Sequence, residues 1–147
     1  MKIIHGWICL GLLVSCNSGP SKPKVPPESM AYLNLQQIMA LSEQADFVDF
    51  LFFNMDVSVS QSDKASISQT VNFFDNQAKP EGMNCPAIGR ISFQSGGKII
   101  READIHFLGT GCGYFTIIEN KKPVGTNLIS EPGLKFFETL VTNYKPK

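Results

Sequence analysis

The 147-residue chain carries little charge and no surplus of either sign: 13 basic and 13 acidic side chains, 18% of the residues, cancel. The basic footprint of a nucleic-acid binder is therefore missing, and DNA or RNA is not an expected partner. Histidine is scarce, with His5 and His106 the two present. The four cysteines, Cys9, Cys16, Cys85 and Cys112, include no Cys-x-x-Cys pair, so a zinc knuckle or a dithiol redox motif would be short of ligands. No metal and no cofactor is expected. A Gly-x-Ser-x-Gly elbow, a His-Glu-x-x-His helix, a Walker loop and a dinucleotide fingerprint are all absent. What the chain does have is 43% apolar residues with 11 phenylalanines, enough for a folded domain and too much for a wholly disordered chain.

The N-terminus carries the plainest signal. Lys2 is followed by Ile3, Ile4, Trp7, Ile8, Leu10, Leu12, Leu13 and Val14, and then by Ser15 and Cys16. A charged start, a short apolar stretch and a small residue before a break have the layout of a secretory signal. About a dozen residues are too few for a permanent span, which needs ~20. Leu13-Val14-Ser15-Cys16 resembles the lipobox of bacterial lipoproteins. That resemblance implies diacylglyceryl transfer to the Cys16 sulfur, cleavage after Ser15 and fatty acylation, palmitate included, of the new amine. The lipid bilayer is then a partner through acylated Cys16, and the cell envelope is the location. Asn17 stands where an Asp would, by resemblance to enterobacterial sorting, favour the inner membrane, which points to the outer one. The expected division is a signal peptide over 1–15, a lipidated cysteine with a proline-rich tether over 16–30, and one globular domain over 31–147.

With Cys9 lost and Cys16 lipidated, Cys85 and Cys112 remain in a compartment that oxidises thiols, so a disulfide is the default and two free thiols the alternative. Closing a loop of that length stabilises a fold by about 3.5 kcal/mol in the chain-entropy model.

Leu35, Ile38, Met39, Leu41, Ala45, Val48, Leu51, Phe52 and Met55 recur mostly at spacings of three and four, which predicts one helix over 34–55. On that helix Phe50 flanks the apolar arc and Phe53 falls on the far side beside Asp46 and Asp49, so the two mark a partner-facing aromatic patch or a surface that something else covers. Residues 56–61 alternate briefly, as a short strand would. A second helix is expected to start at Ser62 or Asp63, to carry Ile67, Val71, Phe74 and Ala78 on one face, and to stop before Pro80. The period then changes to two, and 87–94, 98–108, 114–119 and 124–129 read as four strands with short connections. Ser130 caps a last helix with Pro132 in its first turn and Leu134, Phe136, Phe137, Leu140 and Val141 on one side. The expected fold is a two-layer α+β domain: a four-stranded antiparallel meander preceded by two helices and followed by one C-terminal helix. In a meander the first and third strands run the same way, so Cys85 and Cys112 fall at the same end of the sheet.

Residues 28–81 hold eight acids and two bases, and 82–147 hold five acids and eight bases. Either the two halves pack on each other, or an acidic face is turned toward a basic partner. On the second meander strand Glu102, Asp104 and His106 share the face opposite Ala103, Ile105 and Phe107. A histidine oriented by an aspartate is the general-base half of many hydrolytic sites, yet such pairs are common on the wet face of a sheet. Glycines 109, 111 and 113 bracket Cys112, as a nest for an anion or as a wide hairpin that admits a disulfide. The favoured expectation is a non-catalytic binding or accessory lipoprotein, with an envelope protein or glycan as partner, and no enzyme. The alternatives are an inhibitor-type lipoprotein with a disulfide-held loop over 109–113, and a small hydrolase using Asp104 and His106.

Overall fold

The computed structural model describes residues 31–109 and 111–144, and the signal, Cys16 and tether expectations for 1–30 lie outside the described residues. Asn34 opens the first helix. Its side chain accepts the Gln37 N–H at 3.0 Å while the Gln37 side chain accepts the Asn34 N–H at 3.0 Å, a reciprocal cap that fixes the start of α1 (Leu35–Gln44). At Ala45 the backbone becomes extended, with ψ 135°, and the chain enters β1 (Phe47–Phe52).

The single helix expected over 34–55 is thus a helix followed by a strand. In β1 Val48, Phe50 and Phe52 are buried while Leu51 is exposed, an alternation with period two. A segment as apolar as 47–53 satisfies a helical period and a strand period equally. Its aromatic and β-branched content, together with partners on both sides, decides for the strand.

The brief alternation near residue 60 is β2 (Ser58–Gln61), paired antiparallel to β1. Asp63 then accepts the Ser66 N–H at 2.9 Å and caps α2 (Lys64–Val71), which is shorter than expected. The Phe73 and Phe74 amides donate to Thr70 and Val71 carbonyls, and Phe74 leaves the helix to bridge Ile129 and stack on Phe115 with centroids 3.9 Å apart. Four further strands, β3 (Ala87–Ser95), β4 (Lys98–Phe107), β5 (Gly113–Glu119) and β6 (Lys122–Leu128), lead to α3 (Glu131–Asn143). Ser130 holds the N-cap position of α3, but its hydroxyl donates to the Asn72 carbonyl at 2.6 Å rather than capping the helix; Pro132 sits in the first turn.

The architecture is α+β, with one six-stranded sheet in the order β2-β1-β3-β4-β5-β6 and every neighbouring pair antiparallel. The four-stranded meander is part of this larger sheet. Two helices do not precede the sheet, because β1 and β2 lie between α1 and α2. All three helices contribute to one core cluster, with Ile38, Ile67 and Phe137 against Phe50, Ile91 and Ile105. Phe137 is its aromatic centre, with ring centroids 5.2–6.3 Å from Phe50, Phe73, Phe107, Phe115 and Phe136. Among the described residues no helix is long and apolar enough to cross a membrane.

The segment 75–86 links α2 to β3, and it begins at the β6 edge. Asp75 N–H donates to Leu128 O at 2.9 Å, and Leu128 N–H donates to Gln77 O at 2.8 Å. The strap then passes over the face away from the helices, where Lys79 N–H donates to the Thr126 hydroxyl and its ammonium lies 5.1 Å from the centre of the Tyr114 ring. It ends at Cys85, disulfide-bonded to Cys112 with Cα atoms 6.0 Å apart, and Pro86, whose carbonyl accepts the Phe107 N–H.

Candidate functional site

Alternation along β4 buries Ala103, Ile105 and Phe107 and places Glu102, Asp104 and His106 on the face away from the helices. The three side chains meet different partners there. Asp104 lies directly across from Arg90 of β3 and accepts a hydrogen bond from its Nε at 2.7 Å. That hydrogen bond to Asp104 raises the Arg90 guanidinium pKa further above its already high value, against a smaller opposing effect of burial. His106 Nδ1 lies 3.0 Å from the Cys85 carbonyl oxygen. A carbonyl can only accept, so Nδ1 carries the proton in this contact and Nε2 is the acceptor of the neutral ring. The His106 ring also stacks on Tyr114, its register partner on β5, with centroids 4.4 Å apart and planes 8° from parallel.

Glu102 instead lines a cleft of about 430 Å³ at the other end of β4, with Ile99, Ile118 and Asn120. The structure therefore spreads these residues over three places: Glu102 in that cleft, Asp104 in an ion pair with the neighbouring strand, His106 under the end of the strap. The aspartate-oriented histidine expected from the sequence is not formed: a main-chain oxygen, not Asp104, holds the inner nitrogen of His106. Among the described residues no group of three or more His, Cys, Asp or Glu side chains stands together as a metal site.

The proposed aromatic patch is half corrected. Phe50 is 0% exposed, because in a strand it alternates with Leu51 and points into the core, where Phe136 and Phe137 pack on it. Phe53, one step past β1, is 48% exposed, and its N–H donates to Ile88 O at 3.0 Å. Leu51, expected in the apolar arc of a helix, is 57% exposed. Between β4 and β5, Leu108 N–H donates to Cys112 O at 2.8 Å, and Gly109 takes φ +64°, a conformation that favours glycine. Leu108 is 66% exposed, and Thr110 lies outside the described residues.

One surface was not singled out from the sequence. The β1–β2 hairpin and its flanks, 43–63, contain five carboxylates, Glu43, Asp46, Asp49, Asp56 and Asp63, and no lysine or arginine. Lys64, the next cation, is drawn away into the C-terminus of α1, donating to the carbonyls of Ser42, Glu43 and Ala45 at 3.2, 2.9 and 2.7 Å. The signal was present in the acidic count of 28–81, and reading 34–55 as one helix hid that Asp49 lies across from Ser60 of the edge strand.

Compared with family models, with curated proteins and with solved structures, the chain matches none.

Proposed function

We propose that the chain is a lipid-anchored protein of the bacterial envelope, acylated at Cys16 and held at the outer membrane, whose domain is a non-catalytic binding or accessory module. The anchor rests on the order of features at the N-terminus: Lys2, an apolar stretch ending at Val14, a small residue, then cysteine. Two or three acyl chains on one residue make attachment stable where a single chain would not. The observation that carries binding over catalysis is that Asp104 and His106 each have another partner, Arg90 and the Cys85 carbonyl, so the polar face of β4 is committed to holding the sheet and the strap together. The exposed Leu51 and Phe53 beside an acidic hairpin supply contact surface in its place.

The test combines intact mass with fractionation. The mature chain is expected to begin at Cys16, to carry the added mass of a diacylglyceryl group and an acyl chain, and to sediment with membranes, while Cys16→Ser stays unprocessed. An unmodified Cys16 would overturn the anchor. Ester or peptide turnover that disappears in His106→Ala while the disulfide remains formed would overturn the non-catalytic reading.

A further inference from the structure

The two edges of the sheet are treated differently. Over the C-terminal half of β6 three outward main-chain groups are occupied: Thr126 N–H donates to Ala31 O at 2.9 Å, Leu128 N–H to Gln77 O, and Leu128 O accepts from Asp75 N–H. At the other edge, among the described residues, no main-chain hydrogen bond from another element reaches Ser58, Val59, Ser60 or Gln61. Alternate residues of an antiparallel edge strand point their N–H and C=O away from the sheet, as a template for another chain. Natural edges are blunted by shortness, lysine, proline or a bulge; β2 is short, at four residues, but reads Ser-Val-Ser-Gln in an unbroken register with β1.

We infer that the free edge of β2 is a docking site for an extended, lysine- or arginine-bearing polypeptide segment, which adds to the sheet as a seventh strand. Main-chain pairing supplies affinity in this mode of recognition, and alternate side chains supply selectivity. Here the selectivity is for positive charge. Ser60 is exposed and small, and its hydroxyl donates to Asp49 of β1 at 2.6 Å, so a long cationic side chain lying over Ser60 reaches the same carboxylate. Of the other carboxylates of 43–63, Asp46 accepts the Gly96 N–H and Asp63 caps α2, and Arg90 across from Leu51 is paired to Asp104, so Asp49 carries the selectivity. Beside it on β1, the exposed Leu51 lies across from Ser58 and offers an apolar neighbour to the next outward residue. A second copy of this chain is the wrong occupant, because pairing β2 with β2 would bring two such acidic hairpins together.

The inference deepens the binding-domain reading and rests on it, and the two fail separately: an unmodified Cys16 or His106-dependent turnover would remove that reading without changing a peptide titration. The test titrates the full-length chain with two synthetic heptapeptides, one alternating Lys and Val, one alternating Glu and Val, and follows amide exchange residue by residue. The expected result is binding of the Lys-Val peptide at least about tenfold tighter than the Glu-Val peptide, weakening with added salt, and slowed exchange at alternate amides within 58–61. Ser60→Lys, which places a cation of its own on Asp49 and guards the edge, should abolish the binding. Asp49→Asn leaves the edge open and should narrow the Lys-over-Glu preference, and it carries the test if Ser60→Lys does not fold. Equal affinity for the two peptides, protection confined to β6, binding unchanged by Ser60→Lys, or a concentration-dependent dimer through β2 would overturn the inference.

Discussion

The β6 edge and the β2 edge belong to one sheet, yet they differ in what ends them. At β6 the chain returns twice, once as the segment leading into α1 and once as the strap that leaves α2, and both returns converge on Asn127. This side chain is fully buried; its carbonyl accepts the Leu33 N–H at 2.9 Å and its amide donates to the Leu33 and Asp75 carbonyls, each at 2.8 Å. One residue thus ties two otherwise irregular segments to the edge. The disulfide anchors the far end of the strap. At β2 nothing comparable is found among the described residues: the strand is four residues long and its side chains are exposed or half-buried. A closed edge is a structural device, and an open edge on a stable sheet is available for recognition.

That contrast can be broken by mutation. The largest expected effect is Asn127→Ala, which leaves three main-chain groups in a dry site without their partner and should lower unfolding free energy by about 4 kcal/mol in a denaturant titration. Next, removing the disulfide with Cys85→Ser and Cys112→Ser together should cost about 3.5 kcal/mol and speed amide exchange at Leu128 while leaving β2 unchanged. Gly125→Ala follows. A Cβ there would stand 2.0 Å from the Ala31 carbonyl oxygen, so the first return must move off the edge, at a cost of about 2 kcal/mol. On the open side, Ser58→Ala should change stability by less than about 0.5 kcal/mol.

The smallest effect has a pH signature. Hydrogen bonds from the Ser66 N–H, and then from its hydroxyl, hold the Asp63 carboxyl below its ordinary pKa. A depressed carboxylate stabilises the folded state above its unfolded pKa and loses that contribution as pH falls through the folded one. Asp63→Ala should therefore lower the melting temperature slightly at pH 7, and the difference from the parent chain should vanish in acid well below the native value.

The parts of this fold that are legible in the sequence are those whose partners are local. Strands β3 to β6 alternate clearly and are joined by short turns, so each neighbour in space is also the next in sequence, and α3 shows its Pro132 start and its apolar stripe. The hairpin of β1 and β2 is different. Residues 47–53 contain six apolar or aromatic side chains around Asp49, and nothing local separates a strand from the continuation of a helix; β3, some forty residues later, makes that decision. From the same misreading came the surface position given to Phe50 and the core position given to Leu51. The strap has no period because its main chain bonds to an existing edge and its side chains cover a face already made. Glu102, Asp104 and His106 could be placed on one face by alternation alone, but the partners they take, Arg90 on another strand and a carbonyl at the end of the strap, depend on tertiary register.

Residue-resolved amide exchange of the unliganded chain tests the difference between the edges most directly. The account predicts that Thr126 and Leu128, bonded to Ala31 and Gln77, exchange only through large-scale opening, while alternate amides of Ser58–Gln61 exchange orders of magnitude faster. Equal protection at both edges would mean that β2 is already covered, and would contradict it.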